Sequence, residues 1–561
     1  MQSRPFPWER WYPAETPWDS PLEPTTLPWL LDSTVERFAN RTLIEYFGYR
    51  LSYAELRTRV DDLAARLAGL GLGQNDAVAL YLPNTPHHPI AFFAIQRIGA
   101  RVVHLSPLDA EREVAFKLTD SGARTLLTTD AATLLTQAAK ALDNELLDTV
   151  IVVPQEAWGR PQLRVGPVPE RFVPFAQLER RAAPWPALLP DDVALLQYTG
   201  GTTGEPKAAI LTHANLTAAV SIYSTWYKSQ GLLDAEPDRI ICVLPLFHIY
   251  GLTSLFLRSF SHGSEVLLRP RFDVETVLHD IEVLRATGFP GVPTMWQALL
   301  SHPGIENRDF SSLRACSSGG APLPVEIEER CVRLLGRRLG GGWGMTETTP
   351  AGINVPRNGP AKPGTIGIPL PNVEADIVAL DDPTRVAPAG EIGELRIRGP
   401  NVMRGYWNRP AETAAVFIDD RMLTGDIGYM DDDGYFFLVD RKKDMIISGG
   451  FNVYPQMIEQ AVYEHPQVEE ALVIGVPDPY RGEAAKLFVK LRSGAPGLTL
   501  DEMRDFLSDK LGRHELPQYL EVRDSLPRTA VGKLSKKELK EEERRQRETL
   551  PTLLERKLRV E

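Results

Sequence analysis

Apolar residues recur along the chain in two rhythms. At Leu56, Val60, Leu63, Leu67 and Leu70 they step by four and three. That spacing gathers them on one face of a helix, which Gly71 and Gly73 end. Residues 77–82 then form an unbroken apolar run stopped by Pro83-Asn84. A helical run follows at 90–98, and further β runs at 101–105, 125–129 and 150–153. Strands alternating with helices predict parallel sheets covered by helices. Later β runs lie at 240–244 and 394–399. Beyond residue 440 strands are predicted at 471–476 and 485–490 and a helix at 500–511, a small α+β unit. The dense charge run Asp440-Arg441-Lys442-Lys443-Asp444 separates the two stretches and reads as a linker. The tail from Ser535 is charged and predicted helical. The first segment, with Trp8, Trp11, Pro13, Pro17, Trp18, Pro21 and Pro24, is predicted to wrap over the surface of the first domain.

Length changes this picture little: 561 residues call for more than one core. A net charge of -12 argues against broad nucleic-acid binding. The three cysteines, Cys242, Cys316 and Cys331, form no disulfide framework and no zinc spacing, which fits a reducing compartment. The aromatic, proline-rich start lacks the apolar core of a signal peptide. No apolar run reaches the length of a membrane span. A cytoplasmic protein is expected, with room for peripheral contact on the inner face of the membrane and for a homodimer.

The chemistry concentrates in LLQYTGGTTGEPK, residues 195–207. An apolar strand runs into Thr199, Gly200, Gly201, Thr202, Thr203 and Gly204, and Lys207 follows. Glycine allows positive φ and close backbone approach. Successive exposed N–H groups make a concave anion site to which threonine hydroxyls add donors. A bare glycine-rich turn needs neither the threonines nor the lysine, so the stretch reads as a grip for phosphate. It is not a P-loop: where that motif needs its second glycine stand Glu205 or Pro206, and Ala208 follows Lys207 in place of a hydroxyl residue.

A second cluster is Gly341-Gly342-Trp343-Gly344-Met345-Thr346-Glu347. Trp343 offers a flat face for a base, Thr346 a donor, and Glu347 one hard oxygen for Mg²⁺, which commonly takes one or two carboxylates and fills its shell with phosphate and water. Asp426 closes the turn Thr424-Gly425-Asp426, by itself a weak signal. Near the end, Gly532-Lys533 follows Pro527-Arg528-Thr529, a flexible loop able to deliver an amine.

The loop resembles the signature of the AMP-forming acyl-adenylating enzymes, a superfamily of acyl-CoA synthetases, peptide-synthetase adenylation domains and beetle luciferases. Ala208 stands where that signature has glycine, and Trp343 where it usually has tyrosine. LQYTGGTTG, TGDIGYMDDDG and DRKKDMIISGGFNVYP are most similar to bacterial long-chain fatty-acid–CoA ligases. The resemblance implies a large α/β N-terminal domain (1–440) of helix-covered, parallel-rich sheets plus a distorted β-barrel. It further implies a hinge at 441–443 and a mobile α+β C-terminal domain (444–561). ATP, Mg²⁺ and coenzyme A are implied as ligands. Gly319, Gly320, Ala321 and Pro322 match the backbone flanking adenine, and Gly342, Trp343, Gly344 and Met345 the adenine side of the acid loop. Asp426 matches the ribose-binding turn, where a carboxylate accepts two hydrogen bonds from a vicinal diol, and Arg441 a ribose or phosphate contact. Lys443 matches the hinge residue, Gly449 and Gly450 the loop beside the pantetheine tunnel, His248 the border of the acyl pocket and thiol path, and Lys533 the catalytic lysine.

The implied activity is ligation of a medium- to long-chain fatty acid to coenzyme A through an acyl-AMP. Peptide-synthetase domains place an aspartate near the acyl pocket to pair a substrate ammonium. FHIYGLTSLFLRSF has no acid, and an unpartnered buried ammonium is costly, so an amino-acid substrate is disfavoured. The alternatives are an aryl- or dicarboxylate–CoA ligase, and a non-catalytic acyl-nucleotide sensor.

Overall fold

The computed structural model describes residues 6–181, 184–199, 206–233, 237–321, 323–357, 359–360, 362–529 and 533–546. Three sheets organise them.

The first sheet has seven strands in the order Val173–Pro174, Thr149–Val153, Thr125–Thr129, Ala77–Tyr81, Arg101–His104, Val193–Thr199 and Lys207–Thr212. All neighbours run parallel except the last pair. Ala77–Tyr81 is buried at every residue, as a strand covered on both faces must be. The antiparallel partner Lys207–Thr212 was not foreseen. Its register sets Lys207 opposite Thr199, so the glycine-rich stretch connects the two strands of a hairpin.

The first helix rhythm is observed as Tyr53–Gly69. Ser52 caps it by accepting from the Glu55 N–H, and Glu55 reciprocates. Leu56, Val60, Leu63 and Leu67 are buried as their spacing predicts. Leu70 is not: it forms the C-cap, leaves the helical path and is 41% exposed.

The second sheet has fourteen strands. Its parallel part runs Gly340–Trp343, Ala315–Ser318, Gly288–Gly291, Arg239–Cys242, Glu265–Leu268 and Thr42–Tyr46, with Tyr49–Ser52 antiparallel at the edge. Beyond Trp343 the same sheet continues antiparallel through Ile353–Asn354, Thr365–Pro369, Phe436–Arg441, Arg421–Met430, Gly393–Arg398 and Glu374–Val378. The antiparallel region thus joins the parallel one edge to edge through a strand of three glycines and a tryptophan. The aromatic N-terminal segment packs on this region, as its composition predicts. Trp8 is buried beside Phe436, and the Trp11 and Trp18 indoles donate to the Asp433 and Leu370 carbonyls.

The third sheet has five strands: Phe451–Val453, Ile446–Ser448, Gly482–Leu491 and Val468–Asp478, with Tyr519–Val522 parallel to Gly482–Leu491. Helices Pro455–Tyr463 and Leu500–Leu507 flank it; the second ends four residues before the predicted 511. Residues 536–546 are helical. Leu539 on that helix is fully buried, Lys536 pairs with Glu459 and Lys540 with Asp444.

The small lobe closes over strand ends of the second sheet. Arg492 pairs with Glu326 at 3.0 Å, and Gln297 Nε2 donates to the Glu469 carbonyl at 3.2 Å.

Candidate active site

Between the lobes lies a cavity of about 1590 Å³. Its wall includes Thr199, Lys207, His248, Gly319, Gly320, Ala321, Asp426, Arg441, Lys443 and Lys533, and every residue from Gly342 to Glu347. Residues far apart in sequence therefore meet because parallel strands deliver their C-terminal turns to one edge. Gly200, Gly201, Thr202, Thr203, Gly204 and Pro322 lie outside the described residues. Gly449 and Gly450 are described, exposed and at φ +59 and +83, but stand away from the cavity wall.

Lys533 reaches the cavity from a turn of the small lobe. Thr529 N–H donates to the Lys533 carbonyl at 2.7 Å, and Arg528, just before it, pairs with Glu470. The side chain lies over Gly320. A Cβ at Gly320 would sit 2.5 Å from Lys533 Cε and 2.7 Å from Nζ, and Gly320 also has φ +81. The positive φ favours glycine there, and a side chain would have to push the lysine's flexible end aside. Burial, with the Arg441 charge adding, pulls the Lys533 amine down to about 8.

His248 shares this part of the wall. Burial lowers it to about 3, with the Lys533 charge a lesser cause. It is a neutral imidazole at physiological pH, and its Nδ1 accepts the Tyr250 N–H at 3.3 Å.

Glu347 is 6% exposed. Its Oε1 accepts the Tyr406 hydroxyl at 2.8 Å, and Lys207 Nζ stands 5.3 Å above the Tyr406 ring. Burial raises the Glu347 carboxyl, against the Tyr406 hydrogen bond. A buried carboxylate of this kind, in a wall beside the Lys207 ammonium, suits a hard divalent cation with an incomplete protein ligand set. Among the described residues no cluster of three or more metal-ligating side chains occurs.

Asp426 is held from two sides. Trp343 Nε1 donates to Oδ2 at 2.6 Å, and Arg441 Nε meets Oδ1 at 3.1 Å. The Trp343 bond to this buried carboxylate contributes about 1.5–3 kcal/mol, and the Arg441 pair, whose arginine is 54% exposed, contributes less. The carboxylate is fixed in orientation, and each oxygen keeps a second lone pair for an incoming donor. Trp343, expected as a flat face, therefore also acts through its N–H. Gly352 packs on the same indole, its Cβ position falling 2.7 Å from the ring.

The far end of the cavity is helical. Helix His213–Ser229 contributes Tyr223, Trp226 and Tyr227. The π-helical segment Tyr250–Leu257 contributes Tyr250, Ser254 and Leu255. Tyr250 stands against Gly319, whose Cβ position would be 2.8 Å from its hydroxyl.

Two wall residues escaped the sequence reading. Tyr406 follows Gly405 with no motif to flag it. Arg258 did carry a signal, as the sole charge that follows the apolar run Tyr250–Leu257.

Residues 31–407 match the family described as AMP-binding enzyme, and residues 457–533 the AMP-binding enzyme C-terminal domain. The chain is 37% identical to a long-chain-fatty-acid–CoA ligase of Bacillus subtilis, over 97% of this chain and 99% of that one. It is 38% identical to a feruloyl-CoA synthase of Amycolatopsis, over 89% and 95%. Among solved structures, ATP-bound MatB from Rhodopseudomonas palustris superposes with a TM-score of 0.79 at 28% identity, covering 92% of this chain and 99% of that one. No described helix is long and apolar enough to cross a membrane.

Proposed function

The chain belongs to the AMP-binding enzyme family, and on that premise we propose that it ligates a medium- to long-chain fatty acid to coenzyme A at the expense of ATP, releasing AMP and pyrophosphate. One observation carries the reading: an amine from the small lobe lies over Gly320 in the same cavity as Asp426 and Glu347.

A carboxylate has no usable leaving group, since displacement would expel oxide. In the first step a carboxylate oxygen attacks the ATP α-phosphorus, an O–P bond forms, and the bond to pyrophosphate breaks. Two anions must be brought together, so cations and N–H donors have to be in place beforehand. In this reading the loop from Thr199 through Gly204, with Lys207, holds the outer phosphates. Lys533 and Thr346 meet the α-phosphate and the acyl carboxylate. Asp426, oriented by Trp343 and Arg441, takes the ribose hydroxyls, and Gly319–Ala321 and Gly342–Met345 flank the adenine. Glu347, steadied by Tyr406, would hold Mg²⁺, which when bound neutralises phosphate charge. In the second step the coenzyme A thiolate attacks the acyl carbon and AMP leaves. Neutral His248 borders that path without adding charge. Lys533 must first withdraw; we assign the pivot to the 441–443 stretch, with Lys443 as hinge, a rotation that would turn Gly449 and Gly450 toward the pantetheine arm.

A cytoplasmic setting, contact with the inner membrane face to collect a poorly soluble acid, and a homodimer complete the proposal; vesicle flotation and sedimentation test the last two. An aryl acid is the second reading, favoured by the aromatic wall of Tyr223, Trp226 and Tyr227. Pyrophosphate release measured from acetate through oleate, with ferulate alongside and with and without coenzyme A, separates them. Fatty acids should give the highest kcat/KM and require coenzyme A for turnover. Release with ferulate alone would replace the fatty-acid reading, and no release with any acid would leave the sensor.

A further inference from the structure

The helical end of the cavity holds a cation for which the two-step chemistry has no use. Tyr250, Ser254 and Arg258 step along one helical face by fours. The Ser254 hydroxyl donates to the Tyr250 carbonyl at 2.8 Å, and Arg258 Nε donates to the Ser254 carbonyl at 3.1 Å. Tyr250 stands against Gly319 at the reacting end, and Arg258 lies eight residues further along, where the π-helical segment passes into an α-helix.

Arg258 is 2% exposed and lines the cavity with Tyr223 and Tyr227. Its guanidinium lies over the Tyr227 ring at 4.2 Å, and Nη2 donates to Ser259 Oγ at 3.1 Å. Among the described residues Nη1 is buried without a hydrogen-bond partner and no carboxylate pairs with the guanidinium. Buried charges are normally paired. Three of the contacts are what a helix-stapling arginine would make. The third nitrogen, Nη1, is left over, in a low-dielectric wall where an oxygen brought to it binds far more strongly than in water. A plain alkyl chain would leave it unmatched.

Resting on the fatty-acid reading above, we propose that Arg258 binds an oxygen carried by the acyl chain remote from its reacting carboxylate, so that the preferred substrates are fatty acids oxygenated toward the distal end, as ω-hydroxyl or ω-carboxylate. The hydrogen-bond-accepting oxygen is the shared feature; Arg258 supplies one charged donor and Tyr227 the face that holds it.

The test compares octanoate, decanoate, dodecanoate and hexadecanoate, each with its ω-hydroxy and α,ω-dicarboxylate counterpart, by kcat/KM for acyl-CoA formation. At one chain length or more, the wild-type enzyme should favour an oxygenated acid over the plain one by about 10- to 100-fold. Arg258→Leu should abolish that preference, bringing kcat/KM for the oxygenated acid down to that of the plain one. Tyr227→Leu, which keeps the arginine but removes its support, should weaken the preference. The hydroxy and dicarboxylate arms show whether the oxygen is neutral or anionic. Efficient use of plain acids with no oxygen preference in the wild type sinks this inference and leaves the ligase reading intact, as does an equal loss of both acid classes in Arg258→Leu. Absence of turnover with every acid sinks the ligase reading, and this inference with it.

Discussion

The two ends of the cavity are built from different kinds of structure. The nucleotide end is backbone: turns at the C-terminal edges of strands, at Gly319–Ala321 and Gly342–Met345, with single side chains from both lobes closing it. The acyl end is the side-chain surface of two helical segments of one lobe, His213–Ser229 and Tyr250–Leu257. Each end holds a cation that has no carboxylate partner among the described residues. Lys533 rides on a loop of the small lobe, and burial brings it to about 8, within reach of neutral pH. Arg258 is locked between Ser254, Ser259 and Tyr227, and a guanidinium stays charged. On the proposed reading, the nucleotide end would be taken apart by moving one lobe, while the acyl end would keep its shape through both half-reactions.

The comparison breaks most sharply at Lys533. Lys533→Ala should cut pyrophosphate release by about 10²–10³-fold, the usual cost of removing one transition-state donor, while leaving the ranking of acids unchanged. A changed ranking would mean that the two ends are not independent. The pH response sharpens the same point. Because burial lowers the Lys533 amine to about 8, the charged form predominates below that pH and is lost as pH rises through it. Then kcat/KM for ATP should fall about tenfold per unit above pH 8, and Lys533→Arg should move the falling limb upward; an unmoved limb would assign it to another group. Trp343→Phe removes the indole donor on Asp426 and keeps a flat ring. KM for ATP should rise about 5- to 30-fold at most, with no effect on the thioester step; an unchanged KM would deny Asp426 its proposed place. The smallest effect is expected at the lobe contact. Arg492 and Glu326 are each 40% exposed, so Arg492→Ala should alter adenylation less than about threefold, and a larger loss would mean that this pair, rather than the cavity, holds the lobes together.

The same contrast explains what the sequence discloses. The nucleotide end needs particular residues at particular turns, because the backbone at Gly320, at φ +81, favours glycine and a carboxylate answers both Trp343 and Arg441. Such requirements leave motifs, and the motif residues that are described, apart from Gly449 and Gly450, line one cavity. Strands Ala77–Tyr81 and Arg101–His104 and helix Tyr53–Gly69 were legible from apolar spacing to within a few residues. Strand Gly340–Trp343 was not, since three glycines carry no strand propensity and neighbours on both sides impose the conformation. Hairpin strand Lys207–Thr212 was hidden behind the loop that drew attention to its start. Tyr406 comes to Glu347 through pairing with the first sheet, at the bridge between Ala209 and Tyr406, which no local pattern encodes. The acyl end requires only volume and polarity, so tyrosines at helical spacing look like any helix core.

The central claim is that the small lobe's amine serves adenylation alone and then withdraws. Its most direct test gives the Lys533→Ala enzyme preformed acyl-AMP and coenzyme A and measures acyl-CoA formation beside the wild type. The account predicts rates within a few-fold of each other, although the variant scarcely releases pyrophosphate from ATP. A thioester step impaired as severely as adenylation would contradict it.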